Sequence, residues 1–279
     1  MSRTLVLLHG VASNSTRWAE FRSRTRLEDW DILAPDLRGN ASAAAPRTPL
    51  GMEVWCADIA ALLDARGAAR AVVGGHCLGA NIALQFAARY PQRVAGLVLI
   101  EPMPPSALIG MMRTLARVQA LLYALYGAAR LANMMGIHRR RLEFLDLREW
   151  DRAIRGGKVR LSPFASLVVD LKSTPLAAYV RMLAATVEPW PATAALRVPV
   201  LALLSRRSSL TDTALARRAL AQLPDCEVVE MDAVHWIPTE QPEAMRAAIE
   251  DWLGREGRRS RPREGTSPPN ASVGGGDPV

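Results

Sequence analysis

The sequence predicts an α/β protein in which a mostly parallel sheet is flanked by helices and carries an inserted helical cap. Short runs rich in Leu and Val alternate with longer helical segments along the chain. These runs are continuously apolar, as expected of strands that are covered on both faces. A long helical block from Pro102 to Arg197 interrupts the alternation and predicts the cap.

Six segments are predicted as strands because each is short and apolar or nearly so. They are Thr4–Leu8, Asp31–Ala34, Ala71–Gly74, Gly96–Glu101, Val198–Leu204 and Glu227–Met231. Helices are predicted where longer helical runs fit between the strands, and Pro or Gly marks some of their ends. They are Gly51–Ala65, Leu78–Arg89, Thr213–Gln222 and Pro242–Leu253, and Gly254 follows the last one.

The elements divide the chain into three parts. Residues 1–101 and 198–254 form the predicted core, and residues 102–197 form the predicted cap. In the first part of the cap, one predicted stripe contains Leu108, Met111, Met112, Leu115, Leu122 and Leu125. Residues 255–279 are rich in Arg, Gly, Pro and Ser, and we expect a disordered basic tail because they lack the apolar residues that stabilise an ordered structure.

Composition excludes several classes of protein. The net charge is +8, but only Lys158 and Lys172 are lysines, which is typical of a high-GC genome rather than of a nucleic-acid surface. Three cysteines cannot all pair, and none forms a C-x-x-C motif, so a disulfide framework and a zinc ribbon are excluded. The sequence has no P-loop, no G-x-G-x-x-G motif and no spacing of metal ligands, so we expect no cofactor, no metal and no nucleic-acid partner.

Two features predict a cytoplasmic location. Residues from Met1 run into a strand-length apolar segment that is too short for a secretory signal. The uncharged stretch Val118–Ala129 is shorter than the roughly 20 residues that span a bilayer, so we expect no membrane span.

The third predicted strand leads into Gly75-His76-Cys77-Leu78-Gly79, after which an apolar helix begins. A strand, G-x-C-x-G and a helix have the layout of a nucleophile elbow, with Cys in the place usually held by Ser. Small residues two positions away allow the tight turn, and the N-terminus of the helix stabilises a thiolate and a developing oxyanion. The alternative is that Cys77 is only a small buried residue at a close turn.

Together with three further motifs, this elbow resembles the α/β-hydrolase fold family, and within it the lid-bearing group of esterases and thioesterases. Leu7–Val11 resembles the oxyanion loop, and Pro35–Gly39 resembles the family's D-x-R-G turn. Asp232–Trp236, with Glu240–Glu243 after it, resembles the loop that carries the general base. The motifs occur in the order in which the family has them.

The resemblance implies roles for individual residues. Cys77 corresponds to the nucleophile, and His235 corresponds to the general base and acid. The backbone N–H groups of Val11 and Leu78 correspond to the oxyanion hole.

Three more residues are candidates near this site. His76 flanks Cys77 and is a candidate substrate contact, although an elbow commonly tolerates any side chain there. Met103, with other cap methionines, suggests an adaptable apolar acyl channel, and simple packing of the cap is the alternative. His9 is expected to support the turn of the oxyanion loop.

The acid of the triad departs from the family pattern. After the strand Val198–Leu204 the family usually has an Asp that orients the imidazole, but this chain has Ser205-Arg-Arg-Ser208. Glu101 ends the preceding strand, a place from which some members, such as certain haloalkane dehalogenases, supply the acid. Asp212 is a second candidate, although it is also a predicted helix N-cap. The third alternative is a Cys–His dyad, because a thiol ionises more easily than a serine hydroxyl.

A cysteine nucleophile forms an acyl thioester that water, an alcohol or an amine can resolve. The sequence therefore predicts a hydrolase that cleaves an ester or thioester of an apolar acyl substrate through a Cys77 acyl-enzyme, with His235 as general base. The substrate is expected to be a small molecule, either free or linked to a carrier or coenzyme A. Two alternatives stay open: an acyltransferase or cyclising release enzyme of a biosynthetic pathway, and a non-catalytic member of the fold that binds a ligand.

Overall fold

The computed structural model of the protein describes residues 3–40, 43, 47–137, 142–156 and 167–259. Within these ranges, six parallel strands form one sheet in the order β2-β1-β3-β4-β5-β6. The strands are β1 Arg3–Leu8, β2 Trp30–Leu33, β3 Ala71–His76, β4 Val94–Ile100, β5 Val200–Ser205 and β6 Cys226–Met231. The predicted α/β class with a parallel sheet flanked by helices is confirmed.

Helices α1 to α3 lie in the first part of the core, and α9 to α11 lie in the second. They are α1 Ala19–Arg24, α2 Met52–Ala65, α3 Leu78–Arg89, α9 Thr213–Leu220, α10 Ile237–Glu240 and α11 Pro242–Arg259. Between β4 and β5 lie α4 Gly110–Arg117, α5 Gln119–Met134, α6 Leu147–Arg155, α7 Leu167–Ser173 and α8 Leu176–Thr186. The described residues of this segment contain no strand, and no described helix combines the length and the hydropathy needed to cross a bilayer.

Both faces of the sheet are buried, which explains the continuous apolar runs of the strands. Val6 and Leu8 of β1 belong to one apolar cluster together with side chains of α2, α3 and α9. Leu5 and Leu7 belong to a second cluster on the opposite face, together with side chains of α1 and α11. Because successive strand residues point to opposite faces, every position of β1 from Thr4 to Leu8 is buried.

The last helix is longer than predicted. It was expected to end at Leu253, but it continues through Gly254 to Arg259. A glycine inside a helix costs about 1 kcal/mol relative to alanine. Here Arg255 forms an ion pair at 2.6 Å with Glu227 of β6, which ties the extension to the sheet. The predicted tail therefore does not begin at residue 255, and residues 260–279 lie outside the described ranges.

The inserted segment also differs from its predicted pattern. Leu108, Met112 and Leu122 of the predicted stripe are buried, but Met111 and Leu125 are exposed. The helix is interrupted at Val118, which ends α4 and precedes α5, so the helical spacing does not continue from one helix to the next. The far end of the segment is anchored on the core, because Ala178, Met182 and Ala185 of α8 pack in the same cluster as α2 and α3.

Candidate active site

Three candidate side chains meet at the carboxyl edge of the sheet, where binding sites of parallel sheets form. Cys77 directly follows β3, Glu101 directly follows β4, and His235 lies in the loop between β6 and α10. The neighbouring strands β3 and β4 pair through His76 and Ile100, so Cys77 and Glu101 both lie one residue beyond the last pair. The loop that carries His235 reaches over the end of β5, which separates β4 from β6.

Cys77 is held in a strained backbone conformation with φ 55° and ψ −115°. Its N–H donates to the carbonyl of Ile100 at 2.9 Å, and α3 begins at the next residue. A Cβ atom on Gly75 would lie 2.6 Å from the carbonyl oxygen of Leu8, and one on Gly79 would also meet that oxygen. The steric reason for the G-x-C-x-G spacing is thus confirmed, because only glycine fits at either position.

Backbone strain is concentrated at this edge of the sheet. Among the described non-glycine residues, positive φ angles occur at Ala12, Cys77 and Glu101, with values of 50°, 55° and 49°. Such residues cost about 1–3 kcal/mol each and tend to cluster at functional sites. Ala12 directly follows the predicted oxyanion loop, Cys77 lies in the elbow, and Glu101 follows β4.

His235 connects Cys77 to Glu101. Its Nδ1–H donates to Oε2 of Glu101 at 3.1 Å, and interaction with the side chain of Cys77 contributes to raising the pKa of the same imidazole. Since Nδ1 is bound to Glu101, Nε2 is the ring nitrogen that is left to interact with the thiol. The His235 and Glu101 side chains are buried, with 3% and 1% exposure. Of the three alternatives for the acid, the structure brings Glu101 to the imidazole, whereas Asp212 caps α9 by accepting from the N–H of Leu215 at 2.9 Å.

The carboxylate of Glu101 has further hydrogen-bond donors. The N–H of Ser205 donates to Oε1, and the hydroxyl of Ser208 donates to Oε2 at 3.0 Å. Both donors lie in the segment where the family usually carries the acid. A buried carboxylate is stable only when its oxygens are hydrogen-bonded, and these contacts supply what Glu101 needs in addition to the imidazole.

The environment of His235 favours its charged form. Burial is the largest effect and lowers the pKa of the imidazole, but hydrogen bonds and charge interactions with Cys77 and Glu101 outweigh it and raise the pKa to about 10. The other two cysteines lie in different surroundings, because burial raises the pKa of Cys56 to about 12 and that of Cys226 to about 11. Both therefore stay neutral thiols at physiological pH.

The segment Leu7–Val11, the predicted oxyanion loop, runs beside Cys77. A Cβ atom on Gly10 would lie 3.3 Å from Cβ of Cys77, which shows how closely the two backbones approach. Among the described residues, none accepts a hydrogen bond from the backbone N–H of Val11 or of Leu78. Leu78 is the first residue of α3, where the helix dipole also places partial positive charge. Both N–H groups are thus available to a negatively charged oxygen.

His9 is a structural histidine. It is fully buried, its Nδ1–H donates to the carbonyl of Gly10 at 2.9 Å, and its Nε2 accepts from the N–H of Leu37 at 2.9 Å. Burial lowers the pKa of His9 to about 4, so the ring is neutral with a fixed tautomer. The ring therefore fastens the oxyanion loop to the D-x-R-G turn.

His76 is buried and contacts the loop of the general base. Its Nε2–H donates to the backbone carbonyl of His235 at 2.9 Å, and the two rings are 4.9 Å apart. Burial and the neighbouring charge of His235 lower the pKa of His76 well below its usual value, so this ring is neutral. The predicted contact between His76 and a substrate stays a prediction, and the structure adds a contact that holds His235.

An apolar wall surrounds Cys77. Met103 is fully buried, and its N–H donates to Oδ1 of Asn81 on α3 at 3.0 Å, which fixes the chain after β4 against the elbow helix. The cluster that contains Cys77 consists of Cys77, Met103, Leu108, Met112, Val187 and Leu210. Met103 thus packs in the same cluster as Cys77, and the predicted acyl channel stays a prediction beside the alternative of simple packing.

Glu240 is a functional candidate that the sequence did not single out. Its carboxylate accepts from the N–H groups of three successive residues, Val234 at 3.0 Å, His235 at 3.3 Å and Trp236 at 2.8 Å. These bonds fix the backbone that carries the imidazole. The only signal in the sequence was its place five residues after His235, inside a motif already quoted for the resemblance.

A buried ion pair attaches the inserted segment beside the site. Arg17, in the turn after the oxyanion loop, contacts Asp151 of α6 at 2.8 Å, and both side chains are about nine-tenths buried. Thr239 of α10 donates to the same carboxylate at 2.7 Å. Among the described residues, no group of three or more His, Cys, Asp or Glu side chains could hold a metal ion.

Comparisons with known proteins agree with this architecture. A model of the α/β hydrolase fold family matches residues 3–242. Lipase LipV of Mycobacterium tuberculosis is 37% identical over 100 residues, which cover 35% of this chain and 36% of that protein. The 2-hydroxy-6-oxo-2,4-heptadienoate hydrolase of Pseudomonas putida is 36% identical over 103 residues, which cover 34% of this chain and 36% of that protein.

Solved structures extend the similarity to nearly the whole chain. A thermophilic esterase from Thermogutta terrifontis superposes with a TM-score of 0.67 at 24% identity, covering 92% of this chain and 91% of that one. At this identity the likeness concerns the fold. The sequence matches span about a third of the length of the curated relatives. The family model, by contrast, covers the sheet, the elbow and the loop of His235, and the chain therefore belongs to the α/β-hydrolase fold family.

Proposed function

We propose that the protein is a hydrolase that cleaves an ester or thioester of an apolar acyl group through an acyl-enzyme on Cys77. The observation that carries the proposal is the hydrogen bond between His235 and Glu101 beside the elbow, together with the interaction of Cys77 with the same imidazole. The lipase among the relatives and the esterase among the structural neighbours support ester cleavage, and the hydrolase among the relatives supports hydrolysis in general.

The first step is acylation. The thiolate of Cys77 attacks the acyl carbon, and the carbonyl electron pair moves to oxygen, where the N–H groups of Val11 and Leu78 stabilise the negative charge. When the tetrahedral intermediate collapses, the bond to the leaving group breaks. The imidazolium of His235 donates its Nε2 proton to the leaving alkoxide or thiolate. The products of this step are a thioester on Cys77 and a free alcohol or thiol.

The second step is hydrolysis of the acyl-enzyme. Neutral His235 accepts a proton from water while the water oxygen attacks the thioester carbon. Collapse of the second intermediate releases the carboxylic acid and regenerates the thiolate–imidazolium pair. Glu101 accepts the Nδ1–H of His235 and holds the imidazole in the tautomer that presents Nε2 to the reaction.

The acyl group is proposed to be apolar because of the wall around the nucleophile. Met103, Leu108 and Met112 pack in the apolar cluster that contains Cys77. Flexible methionine side chains adapt to acyl groups of different shape. The leaving group, whether an alcohol, coenzyme A or a carrier-linked thiol, is not specified by these contacts.

The geometry supports acyl transfer better than it supports a non-catalytic role. A non-catalytic role was suggested by the missing acid after β5, and that argument weakens because Glu101 reaches the imidazole. Acyl transfer to another acceptor is supported by the burial of Cys77, which is 7% exposed and lies among apolar side chains that limit access of water. Faster release of the acyl group on addition of an alcohol or amine would identify transfer.

A panel of p-nitrophenyl esters and acyl thioesters tests the proposal. Wild type should hydrolyse at least one member, and Cys77→Ala should lose this activity. Cys226→Ala is the matched control, because it removes a thiol that lies on β6, away from the elbow. Full activity of Cys77→Ala with the same substrate would refute the proposal.

A further inference from the structure

The described residues that expose large apolar side chains all belong to the segment between β4 and β5. They run from Met111 to Leu176, and no large apolar residue of the described core is comparably exposed. Contiguous exposed apolar surface on a soluble domain marks an interaction site. The most continuous part lies on α5 and the short stretch after it. It consists of Leu121, Leu125, Leu131, Met134, Met135 and Ile137, with exposures from 48% to 67%.

These side chains lie on the outer side of α5. The inner side is defined by Leu122, which is buried, and by Tyr126, whose hydroxyl accepts from the N–H of Leu50 at 2.9 Å. With 3.6 residues per turn, Leu121 and Leu125 fall on the face away from this contact. We name this outer surface of α5, with the exposed residues of α4, the α4–α5 face.

The charged residues in and around α4 and α5 are all positive. Between Glu101 and Glu143 the sequence has no acidic residue, and it has arginine at positions 113, 117, 130, 139, 140 and 141. Arg113 and Arg117 lie on α4 and are exposed. The last three arginines lie outside the described residues. An apolar helical face accompanied by arginines is the pattern of helices that lie in the interface of anionic lipid bilayers.

We infer that the α4–α5 face docks on the surface of an anionic lipid bilayer, with Leu121 and Leu125 inserted among the acyl chains and Arg113 and Arg117 at the headgroups. If two copies associated through this face, two basic segments would meet, and neither has an acidic residue between Glu101 and Glu143. A single helix also presents a convex row of side chains. Such a row suits a deformable lipid layer and offers no groove to a protein segment.

The inference goes beyond acyl chemistry, but the two surfaces are adjacent. Met112, Leu115 and Ala116 of α4 pack on the cluster that contains Cys77, while Arg113 and Arg117 of the same helix are exposed. One helix thus separates the nucleophile from the proposed lipid surface. Because docking does not require the thiol, Cys77→Ala should bind vesicles as well as wild type does.

Vesicle flotation with the full chain tests the inference. Wild type and Cys77→Ala should float with vesicles of phosphatidylcholine containing phosphatidylglycerol, and binding to pure phosphatidylcholine should be weaker. The double variant Leu121→Ser/Leu125→Ser should bind the anionic vesicles at least about tenfold more weakly. Arg117→Glu should also reduce binding, whereas Arg218→Glu, the same charge change on α9 of the core, should not.

Several results would overturn the inference. Unchanged flotation of the serine variant would mean that the basic tail or another surface binds lipid. Absence of flotation in wild type would refute docking on lipid. A dimer of wild type that the serine substitutions dissociate in analytical ultracentrifugation would then assign the face to a second copy. An unchanged unfolding midpoint of the serine variant shows that its loss of binding does not reflect loss of the fold.

Discussion

Oε2 of Glu101 lies 3.1 Å from Nδ1 of His235, although the two residues follow strands that are not neighbours in the sheet. The end of β5 lies between them, and this is where the family usually places the acid. Here Ser205 and Ser208 occupy that place and donate hydrogen bonds to the carboxylate. In this chain the acid therefore follows β4 rather than β5, and residues at the end of β5 donate the hydrogen bonds that stabilise the Glu101 carboxylate.

Glu101→Gln should reduce kcat on the order of a hundredfold while the protein stays folded. The amide keeps the shape of the side chain but removes the charge that orients and stabilises the imidazolium. The loss should be smaller than in a serine triad because a thiol depends less on its base. Steady-state kinetics with the best ester of the panel measure the effect.

Asp212→Asn is the control for the acid. Its carboxylate caps α9, so the substitution should change stability by less than about 1 kcal/mol and leave kcat unchanged. If Asp212→Asn lost activity as strongly as Glu101→Gln, the assignment of the acid would be wrong.

The pH dependence follows from the raised pKa of His235. The protonated imidazole donates to the leaving group, so kcat/KM should fall as the pH rises through about 10. The charged ring also contributes stability that is complete below about 6.5 and is lost as the pH approaches 10. In Glu101→Gln the alkaline limb should move to lower pH, because one of the groups that raise the pKa is gone. If kcat/KM fell at the same alkaline pH in wild type and in Glu101→Gln, the ion pair between His235 and Glu101 would be contradicted.

Glu240→Gln should lower kcat about tenfold or more with little change in KM. The carboxylate accepts from three backbone N–H groups around His235, and an amide would direct its own donor at some of them. Small displacements of a general base are costly to the reaction rate. Glu243→Gln, an exposed carboxylate on α11, is the matched control and should retain full kcat. An unchanged kcat in Glu240→Gln would remove Glu240 from the positioning role.

Gly79→Ala should destabilise the fold by about 3 kcal/mol, because the new methyl group would meet the backbone oxygens of Leu8 and His9. Gly127→Ala on α5 should instead stabilise by about 0.5–1 kcal/mol, since nothing lies within 4 Å and alanine favours the helix. Urea unfolding midpoints measure both changes. Equal effects of the two substitutions would contradict the close approach of β1 and the elbow.

The inner strands were predictable because burial on both faces makes them apolar nearly throughout, as in β1 and β5. The elbow was predictable because only glycine fits beside Cys77. The end of α11 was not predictable from Gly254, since the Arg255–Glu227 pair that extends the helix joins residues distant in sequence. The helical spacing of apolar residues also could not show that the helix is interrupted at Val118 or that Leu125 is exposed.

At the site, the sequence indicated which residues to consider but not which of them meet. Glu101 and Asp212 were both possible acids by position, and the choice depends on how the loop of His235 crosses the end of β5. The contacts of His76 and Glu240 with the backbone of that loop also arise only on folding. Local patterns carry no information about such tertiary hydrogen bonds.

Intact-mass spectrometry of the acyl-enzyme tests the central claim most directly. After brief incubation with activated acyl esters or thioesters, wild type should gain the mass of one acyl group, and peptide mapping should place it on Cys77. Cys226→Ala should gain the same mass, and Cys77→Ala should gain none. An acyl adduct of equal yield in Cys77→Ala, or turnover by that variant at the wild-type rate, would contradict the account.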